Sequence, residues 1–176
     1  MRHWQISLKC GVIWCWKCEK RIVTSFKMRE PKVYADTSFL MSHFINDIHT
    51  DRARFEIFEL NSPILISRLG CLEFHNSVWR KVGEEGFKNE HALEAIREFQ
   101  EQFDAGWFFV GNVDEGRIWE RAMGLATMYS AETKVRSLDI LHLSEAIDLG
   151  ATHFWGFDKR QNHLAGMTGL RKLSDS

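Results

Sequence analysis

Short apolar runs alternate along this chain with longer stretches in which apolar residues recur every three or four positions. Such short, mainly apolar runs lie at residues 32–35, 64–67, 107–111 and 152–157. They predict strands, the run at 152–157 one buried on both faces. Between them the period is helical, most clearly where Ala92, Ala95, Ile96, Phe99 and Phe103 fall on one side of residues 90–103. Helical spacing also marks residues 53–60, 114–129 and 138–149, a short helix is expected over 160–165, and an edge strand over 169–173. Strands separated by helices imply a three-layer α/β/α fold with a central, mostly parallel sheet.

Polar residues punctuate this pattern. Thr37 and Ser38 suit the start of a helix near Phe39, Ser67 the start of one running to about residue 82, and Ser137 the start of the helix that Gly150 stops. Glycines at 83 and 86 break the second of these helices from the next, predicting an αα-hairpin. Residues 31–176 then read as one domain. Residues 1–30 stand apart as an extension, with the domain expected to begin near Met28.

Charge and cysteine usage sharpen that division. The net charge of −1 separates into +5 over residues 1–27 and −6 over the remainder, and three of the four cysteines lie in the basic segment. Cys15 and Cys18 have C-x-x-C spacing and, with Cys10 and His3, could supply four zinc ligands. No second paired knuckle accompanies them, so no metal is expected there. An acidic body argues against a general nucleic-acid coat and is compatible with acids offset by bound metal. No apolar run approaches the roughly 20 residues that span a bilayer, and no signal-peptide pattern opens the chain; the expected setting is cytoplasmic, without membrane contact.

Four acids sit where such a fold collects its ligands, outside the carboxyl ends of the strands. Asp36 ends the first strand, Asp158 ends the strand over 152–157, Asp139 lies in the first turn of the helix before that strand, and Glu73 projects from the helix after another. Singly, each has an ordinary explanation: a turn, a cap, a first-turn acid, a solvated helix residue. Together, close carboxylates repel unless protonated or bound to cations. Mg²⁺ suits such oxygen donors, with Mn²⁺ an alternative, and two such ions could activate water for phosphodiester hydrolysis.

The segments 34–40 (YADTSFL), 137–143 (SLDILHL) and 157–160 (FDKR), with Glu73 between them, resemble the PIN-domain ribonucleases, and in particular the VapC-like toxins of toxin–antitoxin pairs. The likeness covers residues 32–173. It implies a Mg²⁺-dependent endoribonuclease that leaves 5′-phosphate and 3′-hydroxyl ends, is usually a homodimer and is inhibited by a cognate antitoxin protein. It implies a catalytic quartet of Asp36, Glu73, Asp139 and Asp158, with Asp36, Asp139 and Asp158 holding the metal. Gly156 departs from the pattern, since many relatives carry Ser or Thr there; the hydroxyl lost would have supported the site by a hydrogen bond. His142, one turn after Asp139, is expected to be structural and within reach of Asp139. Lys159, Arg160 and Arg136 are candidate phosphate contacts. The alternatives are a non-catalytic binding module, with the acids as caps, and a PIN nuclease of RNA maturation outside any toxin pair.

Overall fold

A computed structural model describes residues 32–60 and 62–173. Residues 1–30, with the candidate zinc ligands and the Met28 boundary, lie outside the described residues. Five strands form one sheet: β1 (Val33–Ala35), β2 (Ile64–Ile66), β3 (Phe108–Val110), β4 (His153–Trp155) and β5 (Arg171–Lys172). Seven helices connect them: α1 (Thr37–Phe44), α2 (Thr50–Glu59), α3 (Arg68–Arg80), α4 (Asn89–Asp104), α5 (Glu115–Thr133), α6 (Ser137–Asp148) and α7 (Lys159–Met167).

Every strand pairing is parallel and the order is β3-β2-β1-β4-β5. The expected α/β/α architecture is therefore present. Chain order steps outward from β1 in one direction through β2 and β3, then returns to the other side of β1 with β4. The gap beyond the carboxyl ends of β1 and β4 is the switch point of the sheet, where such folds leave a crevice. Register there is set by Tyr34 against Phe154 and Ala35 against Trp155, and Asp36 N–H extends it by donating to the Trp155 carbonyl at 3.0 Å.

Two apolar layers hold the sheet. On one face α1 to α4 bury Phe39, Phe44, Phe74, Phe99 and Phe103 against Val33, Ile64, Ile66 and Phe108. On the other, α5 to α7 bury Leu125, Ile140, Leu143 and Leu164 against Tyr34, Leu65 and Phe154. The period read along residues 90–103 is the one used, since all five of its apolar residues are buried on α4. Phe99 makes ring contacts with Phe44, Phe74 and Phe108 at centroid distances of 4.9–5.8 Å.

The helix starts differ from expectation at two sites that matter. The cap of α1 is Asp36, not Thr37 or Ser38: its carboxylate accepts Phe39 N–H at 2.9 Å. The cap position of α6 is Arg136, with Ser137 already helical. Asp139 Oδ2 accepts Arg136 N–H at 2.9 Å, so the side chain of the third helical residue reaches back to the cap position. The expected caps at Ser67 and Gly150 hold, with Ser67 Oγ accepting Gly70 N–H at 3.0 Å and Gly150 at φ 69°.

Candidate active site at the switch point

Asp36 stands at the floor of the crevice because β1 ends there and α1 begins. It is 3% exposed. Ser38 Oγ donates to Asp36 Oδ1 at 2.8 Å and approaches Oδ2 at 3.1 Å, while the same oxygen accepts Phe157 N–H at 2.7 Å. One hydroxyl thus ties the end of β1 to the loop after β4. Burial pushes the Asp36 carboxyl from 3.8 up to about 6; the nearby His142 and the bonds from Phe39 and Ser38 oppose that rise, and Asp139 adds to it.

Gly156 explains how Asp36 fits. A Cβ built at Gly156 would lie 2.7 Å from both Cγ and Oδ2 of Asp36, and 2.9 Å from Oδ1. No side chain is compatible with this placement of the carboxylate. Although Gly156 offers Asp36 no hydroxyl, Ser38 supplies one at 2.8 Å.

Glu73 reaches the same region from α3. Thr37 Oγ donates to Glu73 Oε2 at 2.6 Å, and His142 Nε2 lies 2.7 Å from the same oxygen. The bond from His142 holds the Glu73 carboxyl below the usual carboxylate value, against a smaller rise from partial burial. His142 is 2% exposed and its Nδ1 lies 2.8 Å from the Tyr34 hydroxyl. Its expected bond to Asp139 is therefore corrected: one helical turn brings the two residues to one side, but the ring is turned into the core, toward Tyr34 and Glu73. Burial alone would lower the pKa of this imidazole; the Glu73 bond and the charges of Asp36, Glu73 and Glu145 outweigh it and raise the value. This favours an imidazolium donating Nε2–H to Glu73 and Nδ1–H to Tyr34.

Tyr34 is the hub behind this pair. Its hydroxyl is 2.9 Å from Ser67 Oγ and 3.2 Å from Glu145 Oε2. Glu145 is 9% exposed, and its carboxyl is raised, mainly by burial. Tyr34 and Glu145 were not singled out in the sequence, and Thr37 and Ser38 were read only as helix-start residues. The available signals were a tyrosine two residues before Asp36, two hydroxyls directly after it, and a glutamate in the apolar run of α6.

Asp139 is half-buried at the start of α6, close enough to raise the Asp36 pKa, with one oxygen committed to Arg136 N–H. Asp158 caps α7, its Oδ1 accepting Arg160 N–H at 2.9 Å and Gln161 N–H at 3.0 Å, with the Arg160 guanidinium 3.9 Å from Oδ2. All four acids belong to the carboxyl side of the sheet. The donor set fits a hard divalent cation in kind, since it consists of carboxylate oxygens. Among the described residues, however, no three His, Cys, Asp or Glu side chains are already grouped as metal ligands. Asp36, Asp139 and Asp158 each have an oxygen engaged in capping a helix.

The family model described as PIN domain matches residues 33–167. No curated protein matches the chain. Among solved structures, VapC20 of Mycobacterium tuberculosis, a sarcin-ricin loop cleaving toxin, aligns with a TM-score of 0.61 and 16% identity, over 80% of this chain and 99% of that one. FitAcB of Neisseria gonorrhoeae aligns with a TM-score of 0.58 and 12% identity, over 81% of this chain and 96% of its own. PAE2754 of Pyrobaculum aerophilum follows at 0.55 and 16%, covering 80% and 88%. At these identities the three likenesses concern the fold.

Proposed function

The chain belongs to the PIN-domain family, and on that premise we propose that it is a divalent-metal-dependent endoribonuclease acting as the toxin of a toxin–antitoxin pair. Family and fold support a nuclease. The observation that carries the reading further is the meeting of Asp36 and Glu73 beside a buried, hydrogen-bonded His142 at the switch point of the sheet, with Asp139 close enough to raise the Asp36 pKa. A carboxyl raised mainly by burial, with a second acid adding to the rise, is the pattern that functional sites favour.

Asp36, Asp139 and Asp158 would hold the metal, Mg²⁺ or Mn²⁺. When bound it would lower the pKa of water and stabilise charge on the phosphodiester oxygens. The chain's own part is positional. Ser38 holds Asp36 by a hydrogen bond, and Thr37 and His142 favour the ionised form of the Glu73 carboxylate, suited to orient an attacking water or accept its proton. Hydrolysis in this sense leaves a 5′-phosphate and a 3′-hydroxyl. VapC20, of the same fold, is a sarcin-ricin loop cleaving toxin; on that likeness we read RNA as the substrate and an antitoxin protein as the partner, and we propose a homodimer as the working form.

A non-catalytic module is the competing reading, favoured by the capping bonds that Asp36, Asp139 and Asp158 already make. Cleavage of an end-labelled RNA in Mg²⁺ separates the two. Asp139→Asn should lower the rate by 100-fold or more while the circular dichroism spectrum is retained, and EDTA should abolish wild-type cleavage. Cleavage by Asp139→Asn at the wild-type rate in the presence of EDTA would sink the proposal.

A further inference from the structure

Beside the acids lies a pocket of about 480 Å³ that the acids do not explain, between the α1–α2 connection, the C-terminal turn of α3 and the loop after β4. Its size is within the range of small-ligand sites. His49, Phe157, Arg80, Lys81, Ser38 and Asp158 are among the residues that line it. The His49 ring is stacked on Phe157 at a centroid distance of 4.2 Å and an interplanar angle of 4°, and Phe157 is itself stacked on Phe39 at 5.8 Å and 14°. Three near-parallel rings thus rise from the core, with the half-buried His49 at the pocket end.

The column is joined to the candidate site by short bonds. Phe157 N–H donates to Ser38 Oγ, whose hydroxyl is bonded to Asp36, and Asp158 follows Phe157 directly. A group seated on this column would therefore lie next to two of the acids. Positive charge is at hand as well: Lys81 is paired with Glu84 at 3.1 Å, but the exposed Arg80 has no acidic partner among the described residues. Asp47, also at the pocket, has its carboxylate occupied by Ser42 Oγ and His49 N–H at 2.8 and 2.7 Å.

We propose that this pocket holds one nucleotide of single-stranded RNA next to the scissile bond, its base against the His49–Phe157 stack and its phosphate on Arg80. The assignment rests on the ribonuclease reading for its place beside the cleaved bond. Stacked rings take the faces of splayed-out bases with little regard to sequence, and an uncompensated guanidinium suits a phosphate. A duplex, whose bases are already stacked on one another, gains nothing from such a column.

Fluorescence anisotropy of an end-labelled single-stranded oligoribonucleotide, titrated with the full chain in EDTA, tests the pocket without requiring cleavage; wild-type cleavage in Mg²⁺ is followed in parallel. His49→Ala should weaken binding between about 5-fold and 100-fold, while His49→Phe, which keeps a ring, should stay within about 3-fold of wild type. Arg80→Ala should weaken binding by a similar amount and reduce the salt dependence by roughly one phosphate contact. Folding of each variant is verified by its thermal transition. Unchanged affinity in both His49→Ala and Arg80→Ala, or equal loss in His49→Ala and His49→Phe, overturns the nucleotide site. If wild type binds in this His49-dependent manner but cuts no RNA in Mg²⁺, the pocket stands and the ribonuclease reading fails.

Discussion

Asp36 ends a strand, caps a helix and contributes a charge to the site, and these duties pull against one another. As a cap it is well used, with bonds from Phe39 N–H and Ser38 Oγ. As a buried anion it is costly, which is why its carboxyl rises from 3.8 to about 6. A carboxyl whose folded pKa lies above its unfolded one binds more protons in the native state, so its contribution to stability is intact below about pH 3.8 and is lost as the pH climbs through 6. The loss amounts to as much as about 3 kcal/mol at neutral pH. Asp36→Asn, which retains an acceptor for Phe39 N–H, should therefore raise the melting temperature by several degrees in metal-free buffer at pH 7.5 and bring no gain at pH 4. A melting temperature lowered at both pH values would show that the cap matters more than the charge.

Gly156 shows what adjacent elements demand of each other. β1 and β4 pair in register up to Ala35 and Trp155, so the first residues beyond them, Asp36 and Gly156, are forced into close approach. The Asp36 carboxylate occupies the space where a side chain at Gly156 would begin. Gly156→Ala must displace Asp36 or spread the two chain ends, both of which disturb the Ser38 bridge to Phe157. A destabilisation of about 1–3 kcal/mol by urea unfolding is expected, the usual cost of inserting one methyl into a filled site. Stability equal to wild type would mean that Asp36 has another rotamer available at no cost. In sequence, this glycine looked only like a departure from a pattern, because the neighbour that requires it is 120 positions away.

The whole molecule joins an acidic crevice to an apolar frame that can carry its cost. Cores on both faces of the sheet bury Tyr34, Phe39, Phe74, Phe99 and Phe154 almost completely. Among the described residues no helix is long and apolar enough to cross a membrane. If Asp36, Asp139 and Asp158 bind metal in the native state alone, metal must stabilise the fold by mass action, by about 2.7 kcal/mol at a hundredfold excess over the dissociation constant. A Mg²⁺ or Mn²⁺ titration should thus raise the melting temperature of wild type and leave that of Asp139→Asn nearly unchanged. A flat response in wild type would favour the acids as caps.

Local rules carried the sequence reading as far as the strands, the helix periods and the four candidate acids, two at strand ends and two on helices, since apolar spacing and turn chemistry are encoded within a few residues. The parallel architecture followed from the alternation of strands and helices, and the match to the PIN domain agrees with it. What the sequence could not reveal is which side chains meet. His142 faces Glu73 across 69 positions and Tyr34 across 108, and Phe157 binds Ser38 across 119. Helical phase placed His142 on the side of Asp139, but only packing against β1 turned its ring inward. Tertiary structure alone made these decisions, because burial removes the water that would otherwise satisfy each polar group and leaves it the partners brought within reach by the fold.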